Sequence, residues 1–252
     1  MSRGEDQLII PDWPAADNVY AYSTTRLDAE NTGCSQGAYS HFNLANHVGD
    51  SPQHVQSNRQ QLVKQLNLPA EPLWLEQMHG IRVFNSADIP VGIPQADASY
   101  SVIANNICVV MTADCLPVLI CNRKGTKVAA AHAGWRGLAA GVIEASILAL
   151  NEKPSELLVW LGPAIGPKVF EVGENVRRAF IDEFKESAIA FSSVRAGHYL
   201  ADIYQLARLR LKKRGICAVY GGEYCTYTDN NRFYSYRRDV KTGRQASLIW
   251  FA

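Results

Sequence analysis

Apolar residues in this chain cluster in short runs, more often of strand length than of helix length. Such runs cover Tyr20–Thr24, Leu73–Gln77, Ile107–Met111, Val118–Cys121, Lys127–Ala131, Leu157–Leu161, Tyr224–Tyr227 and Ser247–Phe251, and each predicts a β-strand. Several are apolar at successive positions, as expected of a sheet covered on both faces. Helical spacing is rarer. Ser51-Pro52 offers an N-cap and a first-turn proline, and Val55, Leu62, Val63 and Leu66 then share one face. Leu138–Leu150 is apolar almost all round, which predicts a buried helix. Glu174–Glu186 carries Val176, Phe180 and Phe184 on one stripe. Asp202 caps a last helix that ends in Lys212-Lys213-Arg214 before Gly215, cations and a glycine that suit a C-terminus. Strands and helices do not alternate regularly, so a doubly wound parallel sheet is not expected. The expected class is α+β, with layered, mixed sheets in a single domain spanning residues 1–252.

Composition narrows the function. The chain is 47% hydrophobic and 19% charged, a globular balance, and its 252 residues can form a core without staples. Lys+Arg number 25 and Asp+Glu 24, so the net charge is +1. Bulk charge therefore supplies no field for a nucleic-acid partner. The longest apolar stretch, Val102–Cys121, is interrupted by Asn105, Asn106, Thr112 and Asp114, so no membrane span is expected. The start, Met-Ser-Arg-Gly-Glu-Asp, has no secretory pattern, and the cytoplasm is the expected compartment. Cys34, Cys108, Cys115, Cys121, Cys217 and Cys225 show no Cys-x-x-Cys spacing and are expected to be free. Nothing in the pattern sets an oligomeric state.

The chemistry concentrates between Val109 and Gly137. Met-Thr-Ala-Asp-Cys-Leu-Pro (111–117) and Ala-His-Ala-Gly-Trp-Arg-Gly (131–137) flank a turn at Asn122-Arg-Lys-Gly125. Closing that turn as a hairpin places Cys115 directly opposite His132, where Cβ atoms lie ~4.5–5.5 Å apart on one face. Pro117 cannot donate to a ladder and is expected to end the pairing early. A Cys beside a His serves as a nucleophile–base pair or as two metal ligands. His79, in Glu-Gln-Met-His-Gly (76–80), ends a strand-like run and supplies a third ligand. Three ligands with one open position is the catalytic form of a zinc site. His41, His47, His54 and His198 lack comparable local context. Arg26, Arg136 and Arg237 are candidates for bidentate recognition of an anion.

Other motifs lead nowhere. Gly33-Cys34-Ser35-Gln36-Gly37 matches a nucleophile elbow, but no buried strand precedes it and no helix follows. Leu161–Pro167 lacks both the dinucleotide fingerprint and a P-loop lysine. The zinc-deaminase signature and His-Glu-x-x-His are absent.

Taken in order, Leu-Glu-Gln-Met-His-Gly (75–80), Ala-Asp-Ala-Ser-Tyr-Ser (96–101), Met111–Leu119, Ala130–Gly137, Leu161–Pro167, Phe-Tyr-Ser-Tyr-Arg-Arg-Asp (233–239) and Thr-Gly-Arg-Gln-Ala-Ser (242–247) resemble one family. It is the bacterial laccase-domain or polyphenol-oxidase-like family, regarded as zinc-dependent purine nucleoside phosphorylases, some of whose members are called peptidoglycan editing factor. The resemblance implies an α/β/β/α-layered domain similar to the catalytic domain of the cytotoxic necrotising factors. It implies zinc on His79, Cys115 and His132, with purine nucleosides and phosphate as small-molecule partners. The implied activities are phosphorolysis of adenosine, inosine, guanosine and methylthioadenosine, and adenosine deamination. An older claim of copper-dependent phenol oxidation comes with the family. Asp114 is the expected further catalytic residue, and Arg26, Asn43, Gln77, Asp97, Arg136 and Arg237 are the expected substrate contacts. Alternatives remain a Cys–His hydrolase acting on a cell-wall precursor, a zinc-stabilised binding module and a copper oxidase.

Overall fold

A computed structural model describes residues 8–27 and 33–252. Its largest sheet has six strands, ordered Val219–Gly221, Leu157–Leu161, Leu116–Asn122, Val128–Ala133, Ala98–Ser101 and Val83–Asn85. The two outermost pairs are parallel and the inner pairs antiparallel. A four-stranded antiparallel sheet runs Leu8–Ile9, Val19–Thr24, Gln245–Phe251, Cys108–Thr112. A separate antiparallel sheet of three strands holds Phe191–Arg195, His198–Ala201 and Glu171–Gly173.

Alternation along the strands builds the layers. Leu116, Val118 and Ile120 join Ala129, Ala131, Val159 and Leu161 against helix residues Leu138, Val142, Ile143, Leu206 and Leu211. Leu119, Cys121, Val128, Ala130, Leu158 and Trp160 point the other way and meet Cys108, Val110, Ile249 and Phe251 between the two larger sheets. The far face of the smaller sheet, with Val109, Met111, Leu248 and Trp250, packs on Phe42, Leu44 and Leu62. Leu62 comes from the helix Pro52–Gln65. The order is helix, sheet, sheet, helix: the mixed, layered α/β/β/α arrangement. Each fully buried aliphatic side chain contributes ~1.5–3 kcal/mol to it. Among the described residues no helix is long and apolar enough to cross a membrane. The six cysteines are free.

Several expectations need correction. The apolar segment 138–150 is two helices, Trp135–Ala140 and Val142–Leu150, broken at Gly141, whose φ of 104° is left-handed. The third helix stops at Ile181, and a 3-10 turn, Lys185–Ala190, follows. Tyr224–Tyr227 is not a strand; Val219–Gly221 pairs beside Leu157–Leu161 instead. Leu73–Gln77 forms only isolated bridges. There the Gln77 amide takes the place of a strand partner, donating to the Met111 carbonyl at 2.8 Å and accepting the Met111 N–H at 2.7 Å.

The hairpin register differs by two residues from the expectation. Pro117 pairs with His132, and Leu116 with Ala133. The turn is longer than assumed because the Asn122 side-chain oxygen accepts the N–H groups of both Thr126 and Lys127. A two-residue shift preserves the face, so Cys115 and His132 remain diagonal neighbours on the inter-sheet side. Pro117 does not end the pairing. Its carbonyl accepts from Gly162 N–H and the His132 N–H goes to the Asp97 carbonyl, so this pair asks for no proline donor.

Candidate functional site

His132 ends the apolar inter-sheet row that Val128 and Ala130 begin. Cys115 lies in the turn just before the strand Leu116–Asn122. His79 arrives from outside the sheet with a φ of 59°. That backbone is held open by one carboxylate. Asp97 Oδ1 accepts the His79 N–H at 2.8 Å, while Oδ2 accepts those of Met78 at 3.1 Å and Gly80 at 2.6 Å. The same Oδ1 lies 2.9 Å from His132 Nδ1. Asp97 thus fixes His132 with Nδ1 as donor and Nε2 free for another partner.

The three donor atoms of His79, Cys115 and His132 lie within 4.8 Å of one another. Cys115 Sγ is 3.9 Å from His79 Nε2, and the imidazoles meet edge to face with centroids 4.7 Å apart. One soft thiolate, two imidazoles and an orienting carboxylate suit a four-coordinate ion of the zinc type with one position left for a ligand. The backbone leaves that volume clear. A Cβ on Gly134 would sit 2.9 Å from His79 Cδ2 and 3.0 Å from Cys115 Sγ. Electrostatics follow the geometry. Burial alone would push the Cys115 thiol up, but the adjacent His132 charge and hydrogen bonds from both imidazoles bring it below the ordinary thiol range. Burial alone would lower His132, yet the Cys115 thiolate and Asp97 raise it.

Two cavities adjoin the cluster, and His79, Ala113, Cys115 and Tyr236 line both. One, of about 260 Å³, is walled by Trp135, Ile165, Phe170 and Ile203, with Asp114, Arg136 and Arg237. The other, of about 300 Å³, is lined by His47, Gln77, Thr112, His132 and Arg244. Asp114 stands at a φ of 88°. Its oxygens accept the Thr226 hydroxyl and the Arg237 N–H, both at 2.6 Å. Arg237 donates through Nη1 to the Glu171 carbonyl at 2.8 Å, and Arg136 stacks over Trp135 at 4.4 Å.

Other expected substrate contacts sit elsewhere. Asp97 is buried behind His79 and His132 and lines neither cavity. Arg26 donates to the carbonyls of Ser40 and Asn230 and stacks on Tyr234. Asn43 is buried; its amide donates to Asp50 and its oxygen accepts the Arg244 N–H at 2.9 Å. Gln77 reaches a cavity wall with both ends of its amide engaged by Met111. Sequence reasoning missed Arg244, His47, Thr112 and Tyr236. Arg244 lay within a quoted motif, but what brings it to the cavity is a strand pairing: the next residue, Gln245, pairs with Thr112, three positions before Cys115.

A family described as "Multi-copper polyphenol oxidoreductase laccase" matches residues 21–252. The purine nucleoside phosphorylase YfiH of Escherichia coli is 52% identical over 97% of this chain and 98% of its own length. A purine nucleoside phosphorylase of Pseudomonas aeruginosa is 52% identical over 96% of this chain and 97% of its own. A crystal structure of a Neisseria meningitidis protein superposes with a TM-score of 0.93 at 49% identity, covering 97% of this chain and 99% of that one.

Proposed function

Because this chain belongs to the multi-copper polyphenol oxidoreductase laccase family, and its similar relatives carry the name purine nucleoside phosphorylase, we propose that it is a zinc-dependent purine nucleoside phosphorylase. Its substrates are adenosine, inosine, guanosine and methylthioadenosine, and the same centre deaminates adenosine. The carrying observation is the His79–Cys115–His132 cluster opening onto two cavities of different character.

In phosphorolysis a phosphate oxygen bonds to ribose C1′ while the glycosidic bond breaks and its electron pair leaves with the base. The transition state carries positive charge on the sugar, so a site must align both partners and exclude water. His79, Cys115 and His132 would hold the zinc, which when bound supplies Lewis-acid charge to an entering nucleophile. Asp97 keeps the imidazole of His132 in the ligating tautomer and draws the 78–80 backbone around itself. Phe170, Ile165, Ile203 and Trp135 form an apolar wall of a size to take a purine. Asp114 retains lone pairs for a ribose hydroxyl beyond the two donors it accepts. Arg136 and Arg237 border that pocket as substrate contacts. The described residues offer one cluster of three metal-capable side chains, which suits a single ion better than the larger histidine sets of copper oxidases.

One observation favours a second reading. Cys115 with its lowered thiol beside a raised His132 is also the pairing of a thiol hydrolase. Chromatography of adenosine with zinc-loaded protein, with and without phosphate, decides between them. Adenine formed only with phosphate, and lost on chelation, is expected. Turnover of a cell-wall precursor that survives chelation and dies on alkylation would install the hydrolase instead.

A further inference from the structure

We propose that the cavity lined by Arg244, His47 and Thr112 is an oxyanion subsite that takes inorganic phosphate, and that the Phe170 side takes the nucleoside. The identity of the anion rests on the phosphorylase reading; the subsite itself rests on the following geometry.

Arg244 is a guanidinium held in place but not neutralised. Its Nη1 donates to the Thr242 and Gly243 carbonyls, each at 2.9 Å, and its own N–H is fixed by Asn43 at 2.9 Å. Among the described residues it forms no ion pair within 4.0 Å, whereas buried Arg210 pairs with both Glu144 and Glu183. A half-buried guanidinium without a carboxylate has donors left for a ligand. Thr112 supplies the second observation. It is 1% exposed, it lines the same cavity, and its hydroxyl has no hydrogen-bond partner. Native structures rarely leave such a group unmatched, and a ligand oxygen would match it.

The surrounding charges are mixed: Arg244, Arg59 and His132 are cationic, while the Cys115 thiolate and Asp114 act on Arg244 from the other side. Burial, then Arg244, Arg59 and His132, make His47 harder to protonate, with Glu76 the carboxylate acting the other way. In either protonation state His47 keeps at least one N–H to donate to an oxyanion. The neighbouring cavity differs. It sets the Asp114 carboxylate, Arg136 and Arg237 among apolar walls, and Arg237 donates to the Glu171 carbonyl. Its apolar wall of Trp135, Ile165, Phe170 and Ile203 suits the base of a nucleoside. Cys115 borders both cavities and does not discriminate between them.

The test is calorimetric titration of inorganic phosphate into zinc-loaded wild type, Arg244→Gln, Arg244→Lys, Thr112→Val and Arg237→Gln, alongside the KM for phosphate and for adenosine. Arg244→Gln should weaken phosphate binding by about tenfold or more, with Arg244→Lys recovering part of it. Thr112→Val, which keeps the side-chain shape, should weaken phosphate by a smaller factor. Both should leave the adenosine KM within about twofold. Arg237→Gln should do the reverse. Unchanged phosphate affinity in Arg244→Gln and Thr112→Val, or an adenosine KM that rises as much as the phosphate KM, overturns the subsite. Arg244-dependent phosphate binding without nucleoside cleavage would sink the phosphorylase reading and leave the subsite standing. Phosphorolysis with Arg244-independent phosphate binding would do the opposite.

Discussion

Cys121 and Cys115 point to the same inter-sheet side of one stretch of chain, and their chemistry is opposite. Cys121 sits among Leu119, Val128, Ala130 and Trp160. Burial there pushes its thiol up to about 12. Cys108, across the layer, is likewise pushed up to about 12 by burial. At the end of the layer Cys115 meets two imidazoles, and their effect outweighs its burial. The residue type is constant, so the difference lies in what the strand ends bring near. An apolar layer makes a thiol a small hydrophobe, and two histidines make it a thiolate fit for a metal or for nucleophilic attack.

The sharpest way to break this contrast is to remove each thiol. Cys115→Ala should abolish stoichiometric zinc binding and lower kcat/KM by more than ~10³-fold. Cys121→Ala should keep both and cost only ~1 kcal/mol of stability. Metal analysis, product chromatography and denaturant melts read all three quantities. A Cys115→Ala protein with full zinc and full activity would falsify the ligand assignment.

Gly134→Ala probes the clear space beside the cluster. The added methyl meets His79 and Cys115 at 2.9 and 3.0 Å. We expect ~1–3 kcal/mol of destabilisation, with a loss of zinc affinity that the same substitution at an exposed glycine would not cause. Asp97→Asn comes next. Removing the carboxylate behind His132 should reduce zinc affinity by ~10–100-fold, measured by competition with a chromophoric chelator.

The smallest effect is on acid stability. Burial alone would raise the Asp97 carboxyl, but the His132 hydrogen bond and the N–H groups of Gly80 and His79 hold it below its ordinary value of 3.8. A carboxyl lowered on folding stabilises the protein above its unfolded pKa. That contribution fades as pH falls through the lower, folded value. Melts of metal-free protein across that acid range should therefore fall more steeply for wild type than for Asp97→Asn. Parallel curves would mean that Asp97 is not held ionised by its donors.

Much of the fold could be read locally. The strands Leu157–Leu161 and Ser247–Phe251 and the helix after Ser51 declare themselves through consecutive or spaced apolar residues. The capping of the last long helix by Asp202, whose oxygen accepts the Gln205 N–H at 2.9 Å, was equally legible. Segment 224–227 misled because its tyrosines are spent on other contacts, Tyr224 offering its carbonyl to the Tyr204 hydroxyl at 2.9 Å. The hairpin misled by two residues because one asparagine side chain lengthened the turn. The chemistry survived that error, since a strand's period is two and the face did not change.

The sequence by itself determined the donor types, their order along the chain and the face that Cys115 and His132 share, because side-chain direction in a strand follows from position alone. Only the tertiary structure decided what stands behind and beside them. Asp97 serves His132 because the strand that follows it, Ala98–Ser101, lies beside the strand of His132, Val128–Ala133. Arg244 reaches the cavity because Gln245–Phe251 pairs with Cys108–Thr112. Both contacts join residues far apart in the chain, through strand pairings that local periodicity cannot choose.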